Sequence, residues 1–397
     1  MKVLSVNAGS SSLKFKCYEM PEEKVLASGV FERIGISGGI YTIKFNGEKR
    51  EKKCELPDHK KAFSKLMEEL LQLNIISSFD EIKAVGHRIV QGADHYKSSV
   101  IATDEVVKDI LDLASLAPLH NKAAVQGIKG AKEVIKSAVH VCVFDTAFHQ
   151  TIDKERYLYA LPLNWYTEYH VRKYGAHGTS HKYITEHMKE VLESNKKLII
   201  CHIGSGGSVS AVKDGKCVDT SMGFTPNAGL IMGTRCGDID VSIIPYIMSK
   251  KGYSKDDIAM LINKESGLVG LTGESDMRDV RKLADEGSNI ARTALNMYVD
   301  RIVDYIAKYY FELKGVDAIV LTAGVGENNI ATRKEILERL DFLGVKIDNN
   351  ANDEIAGFKE KHEGLITTSD SSIPVYVIPT NEEVMIVRDT YKIIKEA

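Results

Sequence analysis

Two glycine-serine turns, with arginines, histidines and carboxylates at the ends of apolar runs, are the chemistry-bearing features of this 397-residue chain. The first turn is Asn7-Ala8-Gly9-Ser10-Ser11-Ser12, with Lys14 two residues further on. Asn7, Ser10 and Ser12 are its polar contacts and Lys14 is its cation. The second turn is His202-Ile203-Gly204-Ser205-Gly206-Gly207-Ser208. A turn of small residues between two strands exposes backbone N–H groups and hydroxyls at one point, which suits phosphate oxygens. Neither turn has the G-x-x-x-x-G-K-[ST] spacing of a P-loop, and either one alone could be only a tight hairpin. A third glycine run, Gly324-Val325-Gly326-Glu327-Asn328, follows an apolar stretch and precedes a helix expected to start near Asn329. Ligands of open α/β sheets sit beyond the carboxyl ends of strands and favour new helix starts; the plainer reading is a strand-to-helix turn.

Arg88 lies in Gly86-His87-Arg88 and Arg235 in Met232-Gly233-Thr234-Arg235. A planar guanidinium grips carboxylate or phosphate through two hydrogen bonds, although most arginines are surface ion-pair partners. His120, His177 and His181 are candidate polar contacts. His177 and His181 are four residues apart, but Gly178-Thr179-Ser180 between them looks like a helix entry, so the two are not expected to share a face. Asp145 ends an apolar run, where catalytic and metal-orienting carboxylates concentrate in α/β folds; a helix N-cap is the alternative. Glu382 falls in the first turn of the last helix, where it could simply complement the dipole.

These residues need strands and helices to position them. Residues 2–6 and 13–19 read as antiparallel strands joined by the first turn, with a further strand over 41–45. Residues 59–73 have helical spacing, with Ala62, Phe63, Leu66, Leu70 and Leu73 on one face. Strands follow at 82–90 and 139–144, and helices at 104–113 and 121–136. A second run begins near residue 198 with strands over 198–203, 208–213 and 216–219, the last two joined by Asp214-Gly215, a hairpin signal. Residues 288–314 form a long helix that Gly315 ends, and 318–322 and 374–378 are strands. Thr380-Asn381-Glu382-Glu383 reads as a capping box opening the final helix. Strands and helices alternate, so the layout is α/β, and the echo of the first run in the second points to duplication, with a border near residue 150.

Length allows two substantial cores. A hydrophobic content of 44% and a charged content of 27% are those of a globular protein. The net charge of −3 argues against a nucleic-acid surface, and no stretch approaches 18 uninterrupted apolar residues, so no membrane span is expected. Cys17, Cys54, Cys142, Cys201, Cys217 and Cys236 are widely spaced, which suits free thiols in a cytoplasmic protein.

Together the motifs resemble those of the acetate kinase family along the whole chain. The matching stretches are Asn7 to Phe15, Gly86-His87-Arg88, Ala117-Pro118-Leu119-His120-Asn121, Phe144-Asp145-Thr146-Ala147-Phe148-His149, His177-Gly178-Thr179-Ser180-His181-Lys182, Met232-Gly233-Thr234-Arg235, Thr322 to Asn328 and Pro379-Thr380-Asn381-Glu382-Glu383. The resemblance implies the acetate and sugar kinase, heat-shock chaperone and actin superfold: two duplicated ribonuclease-H-like domains with an active-site cleft between them. On it, residues 1–148 form the first domain, completed by 383–397. Residues 149–382 form the second, which binds nucleotide and makes a homodimer.

The resemblance also implies roles. Asn7 and Glu382 would hold Mg²⁺, for which Mn²⁺ could substitute. Lys14, Ser10, Ser12 and the loop His202, Ile203, Gly204, Ser205 and Gly206 would contact the phosphates of ATP or ADP. Asp276, Met277 and Arg278, with Gly324, Val325, Gly326, Glu327 and Asn328, would line the adenosine site. Arg88 would bind the acyl carboxylate, with Val90, Leu119 and Pro226 walling the acyl pocket and His120 nearby. His177 and Arg235 would stabilise the transferring phosphoryl group, and Asp145 matches the active-site carboxylate.

The expected activity is reversible in-line phosphoryl transfer from ATP to acetate. Acetate has a pKa of roughly 4 to 5, so it is ionised at neutral pH and needs no general base; Asp145 is therefore expected to orient Arg88 or a metal-bound water. What the reaction needs is neutralisation of two anions. The chain departs from the family pattern at Ser205 (usually Asn), at Gln91-Gly92-Ala93 (usually His-Gly-Gly), at Met277 (often Phe) and at Ala176 (often Phe). Loss of the ring at Ala176 would enlarge the acyl pocket, so propionate kinase is the main alternative. An actin-like or chaperone-like ATP-binding module is the alternative of a different class.

Overall fold

The structure, a computed structural model, describes residues 1–117, 120–193 and 197–396. The chain divides into two units, Met1–Gln150 with Asn381–Ala397, and Thr151–Thr380. The first is built on eight strands: β1 (Lys2–Ala8), β2 (Ser12–Glu19), β3 (Lys24–Glu32), β4 (Ile40–Phe45), β5 (Glu48–Lys53), β6 (Ile82–Ile89), β7 (Val100–Ile101) and β8 (Val139–Phe144), in the order β5-β4-β3-β2-β1-β6-β8-β7. The second holds β9 (Lys197–Ile203), β10 (Gly207–Lys213), β11 (Lys216–Thr220), β12 (Ala318–Thr322), β13 (Gly364–Leu365) and β14 (Val375–Val377), in the order β11-β10-β9-β12-β14-β13.

Both sheets contain one motif. β3-β2-β1-β6-β8 and β11-β10-β9-β12-β14 each run third, second, first, fourth, fifth. The first three strands of each are antiparallel and the last two run parallel to the first. This is the duplication that the paired turns suggest. The two turns occupy the same place in each motif, between its first and second strands.

Four strands escape the sequence reading: the two-residue β7 and β13, and the longer β3 and β5. β3 carries Ser28 and Gly29 in its middle and lacks clean alternation, and its pairing with β2 makes it a strand. β5 reads Glu-Lys-Arg-Glu-Lys-Lys and contains no apolar residue. It forms because β4 offers an open edge, and its charges guard the sheet's rim.

The helices follow their caps. Helix His59–Gln72 starts at Asp58, whose carboxylate accepts the Lys61 N–H at 2.7 Å, and buries Ala62, Phe63, Leu66 and Leu70. Helix Asn289–Leu313 starts at Ser288 and stops where Lys314 itself takes the left-handed conformation (φ 54°), one residue before Gly315. The final helix, Glu382–Glu396, packs on β6 of the first unit. Gly86 permits this approach: a Cβ there would run into Thr390 Oγ1 and stand 2.6 Å from Ile386 Cγ2. The expected capping box at this helix is not formed. Asn381 Oδ1 caps it by accepting the Val384 N–H at 3.1 Å, whereas the Thr380 hydroxyl is engaged by Ser180 at 2.7 Å. Asn competes well at N-cap positions, so it displaces the threonine.

Candidate active site

In the first unit, β6 and β8 end side by side and deliver Arg88 and Asp145 to the same place. Arg88 Nε donates to Asp145 Oδ2 at 3.0 Å and to Oδ1 at 3.2 Å, and Nη2 donates to Oδ2 at 2.6 Å. The Asp145 side chain is 2% exposed and that of Arg88 21%. The neighbouring Asp145 charge raises the guanidinium pKa, against the opposing effect of burial. Arg88 is thus held along one edge with Nη1 left to meet an anion.

Asn7, Lys14, Arg88, Glu382 and Glu383 line one small pocket, with Ser5 beside them. Glu382 Oε2 lies 3.8 Å from Arg88 Nη2, and Lys16 Nζ is 3.3 Å from Glu383 Oε2. Burial raises the Glu382 pKa, and the charges of Asp145 and Glu383 add to it while Arg88 opposes. Among the described residues no three His, Cys, Asp or Glu side chains gather as a metal cage. The pocket instead offers an amide and carboxylate oxygens, the hard donors Mg²⁺ takes when most of its shell is water and phosphate. A cation there would offset the cost that burial imposes on Glu382, so the residues present fit the ion. Ser10 and Ser12 do not line this pocket.

His120 is exposed and stands at the start of helix Asn121–Val134. Val90 follows β6 and is half-buried. Leu119 lies outside the described residues. Gln91-Gly92-Ala93, where the family usually has His-Gly-Gly, keeps its turn by other means. Ala93 adopts φ 50°, a conformation that favours glycine, and its N–H is held by Gln91 Oε1 at 2.9 Å. Asn121 accepts the Gln91 N–H at 3.3 Å and donates to the Gln91 carbonyl at 2.9 Å.

In the second unit, the β9–β10 turn closes through a Gly204 N–H to Gly206 carbonyl bond of 2.9 Å. His177 and Arg235 flank it. A Cβ on Gly206 would stand 3.5 Å from Arg235 Nη1 and 3.7 Å from His177 Nε2. Arg235 Nη1 donates to the Pro226 carbonyl at 2.9 Å, and burial lowers its pKa. Gly233, two residues before Arg235, donates its N–H to the Ser205 carbonyl at 3.1 Å and so ties the arginine's segment to the turn. His202 is buried and stacks on His177 at 4.1 Å; Ile203 is fully buried in the core and offers a ligand only its backbone.

A groove of about 510 Å³ lies alongside. Gly204, Ser205, Asp276, Met277, Arg278, Gly324, Val325 and Asn328 line it, with Leu268, Tyr298 and Phe358 as apolar walls. That volume and a mostly apolar lining with a few polar groups suit a nucleoside. Asp276 caps helix Met277–Asp285 and is gripped by Arg278, Nε at 2.9 Å and Nη2 at 2.6 Å, which lowers the Asp276 pKa to about 2. Two expectations change here. The helix expected near Asn329 is present, Ile330–Glu338 with Asn329 as its N-cap, but the glycine run before it is itself a short helix, Ala323–Asn328, rather than a turn. Glu327 and Gly326 do not line the groove: the Glu327 carboxylate accepts the N–H groups of Ala323 (2.8 Å) and Thr380 (3.0 Å).

Three residues matter here without a role from their motifs, and one of them, Arg333, lies in no motif at all. Arg333 is fully buried and donates to the carbonyls of Gly326, Glu327, Asn352 and Ile355 and to Asn352 Oδ1, so it fastens the helix that carries the glycine run. Ser208 and His181 stand inside motifs, and residue type alone gives neither of them a role. His177 and His181 share no helix face, in line with the helix entry between them, yet both reach the Ser208 hydroxyl, His177 Nδ1 at 2.9 Å and His181 Nε2 at 2.8 Å. They meet because His177 is not in the helix. It is the N-cap of Gly178–Val191 at φ 58°, and this turns its ring back toward the sheet. The spacing alone could not reveal a left-handed cap on a non-glycine residue.

Residues 2–388 match the model of the acetokinase family. An acetate kinase of Bacillus cytotoxicus is 48% identical, the match covering 99% of this chain and 98% of that protein. One of Bacillus subtilis is 47% identical, covering 99% and 100%. Among solved structures, an acetate kinase of Porphyromonas gingivalis superposes with a TM-score of 0.93 at 39% identity, covering 99% of each chain. A propionate kinase of Francisella tularensis gives 0.92 at 37%, covering 98% and 99%. The two-sheet mixed α/β architecture is therefore the actin-like two-domain fold of these kinases. Whole-length matches at this identity leave one assignment: the chain belongs to the acetokinase family.

Proposed function

We propose that this chain catalyses reversible transfer of the γ-phosphoryl group of ATP to acetate, giving acetyl phosphate and ADP. The observation that carries the reading is the flanking of the Gly204–Gly206 turn by His177 and Arg235, beside a nucleoside-sized groove. A carboxylate oxygen attacks the γ-phosphorus; the bond to the β,γ-bridging oxygen breaks and its electron pair leaves with ADP. No proton moves, since the nucleophile is already ionised. The groove from Gly204 to Asn328 holds the nucleoside. Arg235 neutralises charge on the phosphoryl oxygens and His177 donates a hydrogen bond to them, electrostatic stabilisation being the largest contribution in such transfers. In the other unit, Arg88, fixed along one edge by Asp145, grips the acyl carboxylate with its remaining N–H groups. Asn7 and Glu382 would hold Mg²⁺, with Lys14 adding positive charge. When bound, the ion neutralises phosphate charge and orients the nucleotide. Arg235→Ala should lower kcat by about 10³- to 10⁵-fold, as loss of an arginine finger does, with acyl hydroxamate formation as the assay. Near-normal turnover in that variant would remove Arg235 from the mechanism.

Ala176 favours a second substrate. It is buried against Met222 and Met232 where a ring is common in the family. Flexible thioethers can yield to an extra methylene, and one methylene is worth only about 1 to 3 kcal/mol of discrimination. Propionate should therefore be phosphorylated with an efficiency close to that for acetate; a steep acetate preference would contradict this. We further propose that Mn²⁺ replaces Mg²⁺, that the protein is cytoplasmic, as its free thiols suit, and that it forms a homodimer. Val241 (79% exposed), Tyr246 (61%), Ile239 and Ile243 offer apolar surface for the dimer contact, and sedimentation velocity tests that state. No helix among the described residues is long and apolar enough to cross a membrane.

A further inference from the structure

Ser208 lies on β10 just past the phosphate turn, paired in register with His202 on β9, and is fully buried. Its hydroxyl sits between His177 Nδ1 (2.9 Å) and His181 Nε2 (2.8 Å). A hydroxyl has one proton to give and two lone pairs to receive with. It can therefore donate to only one of the two rings, and the other must bring its own N–H. The opposite edge of the His177 ring, Nε2, faces Gly206 beside Arg235. A ring nitrogen facing an anion must carry a proton, since a bare lone pair would repel it. The ring also has little freedom to turn. His202 stacks on its face at 4.1 Å, and its backbone is fixed at φ 58°.

We propose that Ser208 is a positioning residue for His177. Its hydroxyl donates to Nδ1 of His177 and accepts from Nε2–H of His181. That arrangement leaves the proton of neutral His177 on Nε2, aimed at the phosphoryl oxygens. The proposal rests on the reading of His177 as a phosphoryl-contacting residue. His181 acts one step further back, by fixing which way the Ser208 hydroxyl points.

The test uses the full-length chain with ring-¹⁵N histidine. Long-range ¹H–¹⁵N spectra should show His177 as the Nε2–H tautomer in the unsubstituted protein. In Ser208→Ala this preference should be lost. kcat should fall about 10- to 100-fold, by analogy with loss of the hydrogen-bond partner behind a metal-ligating histidine, with the KM for ATP and for acetate unchanged. Ser208→Thr, which keeps the hydroxyl, should restore the tautomer and most of the turnover. His177→Ala is run alongside. If it loses turnover while Ser208→Ala does not, the role of Ser208 is refuted and the site stands. If His177→Ala turns over normally, the reading of the site falls first. Should the Ser208 variants fail to fold, the spectrum of the unsubstituted chain decides: an Nδ1–H tautomer or a mixture overturns the proposal.

Discussion

Asp145→Asn is the most informative single change. The carboxamide keeps the shape of the carboxylate but brings an N–H₂ group against Arg88 Nη2, where a 2.6 Å charge-assisted bond now stands. Removing one charge from a buried pair costs about 3–5 kcal/mol. Asp145 is almost wholly buried, but one-fifth of the Arg88 side chain meets water, and this relieves part of the loss. The remaining penalty is about 2–3 kcal/mol. It falls on the grip of Arg88, because nothing else among the described contacts holds that edge of the guanidinium as closely. At 1.4 kcal/mol per tenfold, kcat/KM for acetate should drop about 30- to 150-fold while the KM for ATP stays put. Acyl hydroxamate formation at varied acetate, then at varied ATP, separates the two. If Asp145→Asn leaves acetate kcat/KM unchanged while Arg88→Ala abolishes it, the carboxylate does not orient the arginine and the reasoning fails. A rise confined to the ATP KM would fail it equally.

Three further outcomes follow from packing and burial. His87 Nε2 and His140 Nδ1 lie 3.0 Å apart in the first unit's core; burial holds the His87 pKa well below the usual value and lowers that of His140 to about 4. Both are neutral in the fold, so protons bind the unfolded chain first. Stability is full above the unfolded value of about 6.5 and falls as pH drops toward about 4, by about 1.4 kcal/mol per pH unit for each histidine. Urea midpoints across that range should slope less in a His87→Leu/His140→Leu variant, and equal slopes would discount the pair. Gly86→Ala should cost about 1–3 kcal/mol by overpacking the final helix against β6; an unshifted urea midpoint would mean the helix can ride outward freely. Arg333→Leu strips donors from the carbonyls of Gly326, Glu327, Asn352 and Ile355. It should cost about 3–5 kcal/mol and raise the KM for ATP without raising that for acetate, and equal rises in both would refute a local role.

Much of the scaffold is written in the residues themselves. Alternation and helical spacing mark β1, β2, β6, β8 and β9 and the helices at 59–72 and 289–313, because each has one face that must leave water. The glycine-serine turns and the arginines at strand ends are also legible, since their chemistry is carried by residue type. β5 was not legible, because its six charged residues form a strand only through a neighbour's open edge. Nor was the cap of the final helix, where Asn381 and Thr380 competed and the contact to Ser180 decided between them.

The sequence by itself determined the fold class, the duplicated turns and the inventory of anion-holding groups. Only the tertiary structure decided which of those groups work together. It paired Arg88 with Asp145, gave the Glu327 carboxylate to the backbone, buried Arg333 among carbonyls and brought His177 and His181 to one hydroxyl. The reason is physical. Residue type and periodicity fix what a side chain can do and which face of its own element it occupies. The hydrogen-bond partner of a buried polar group is set by whatever the rest of the fold presses against it.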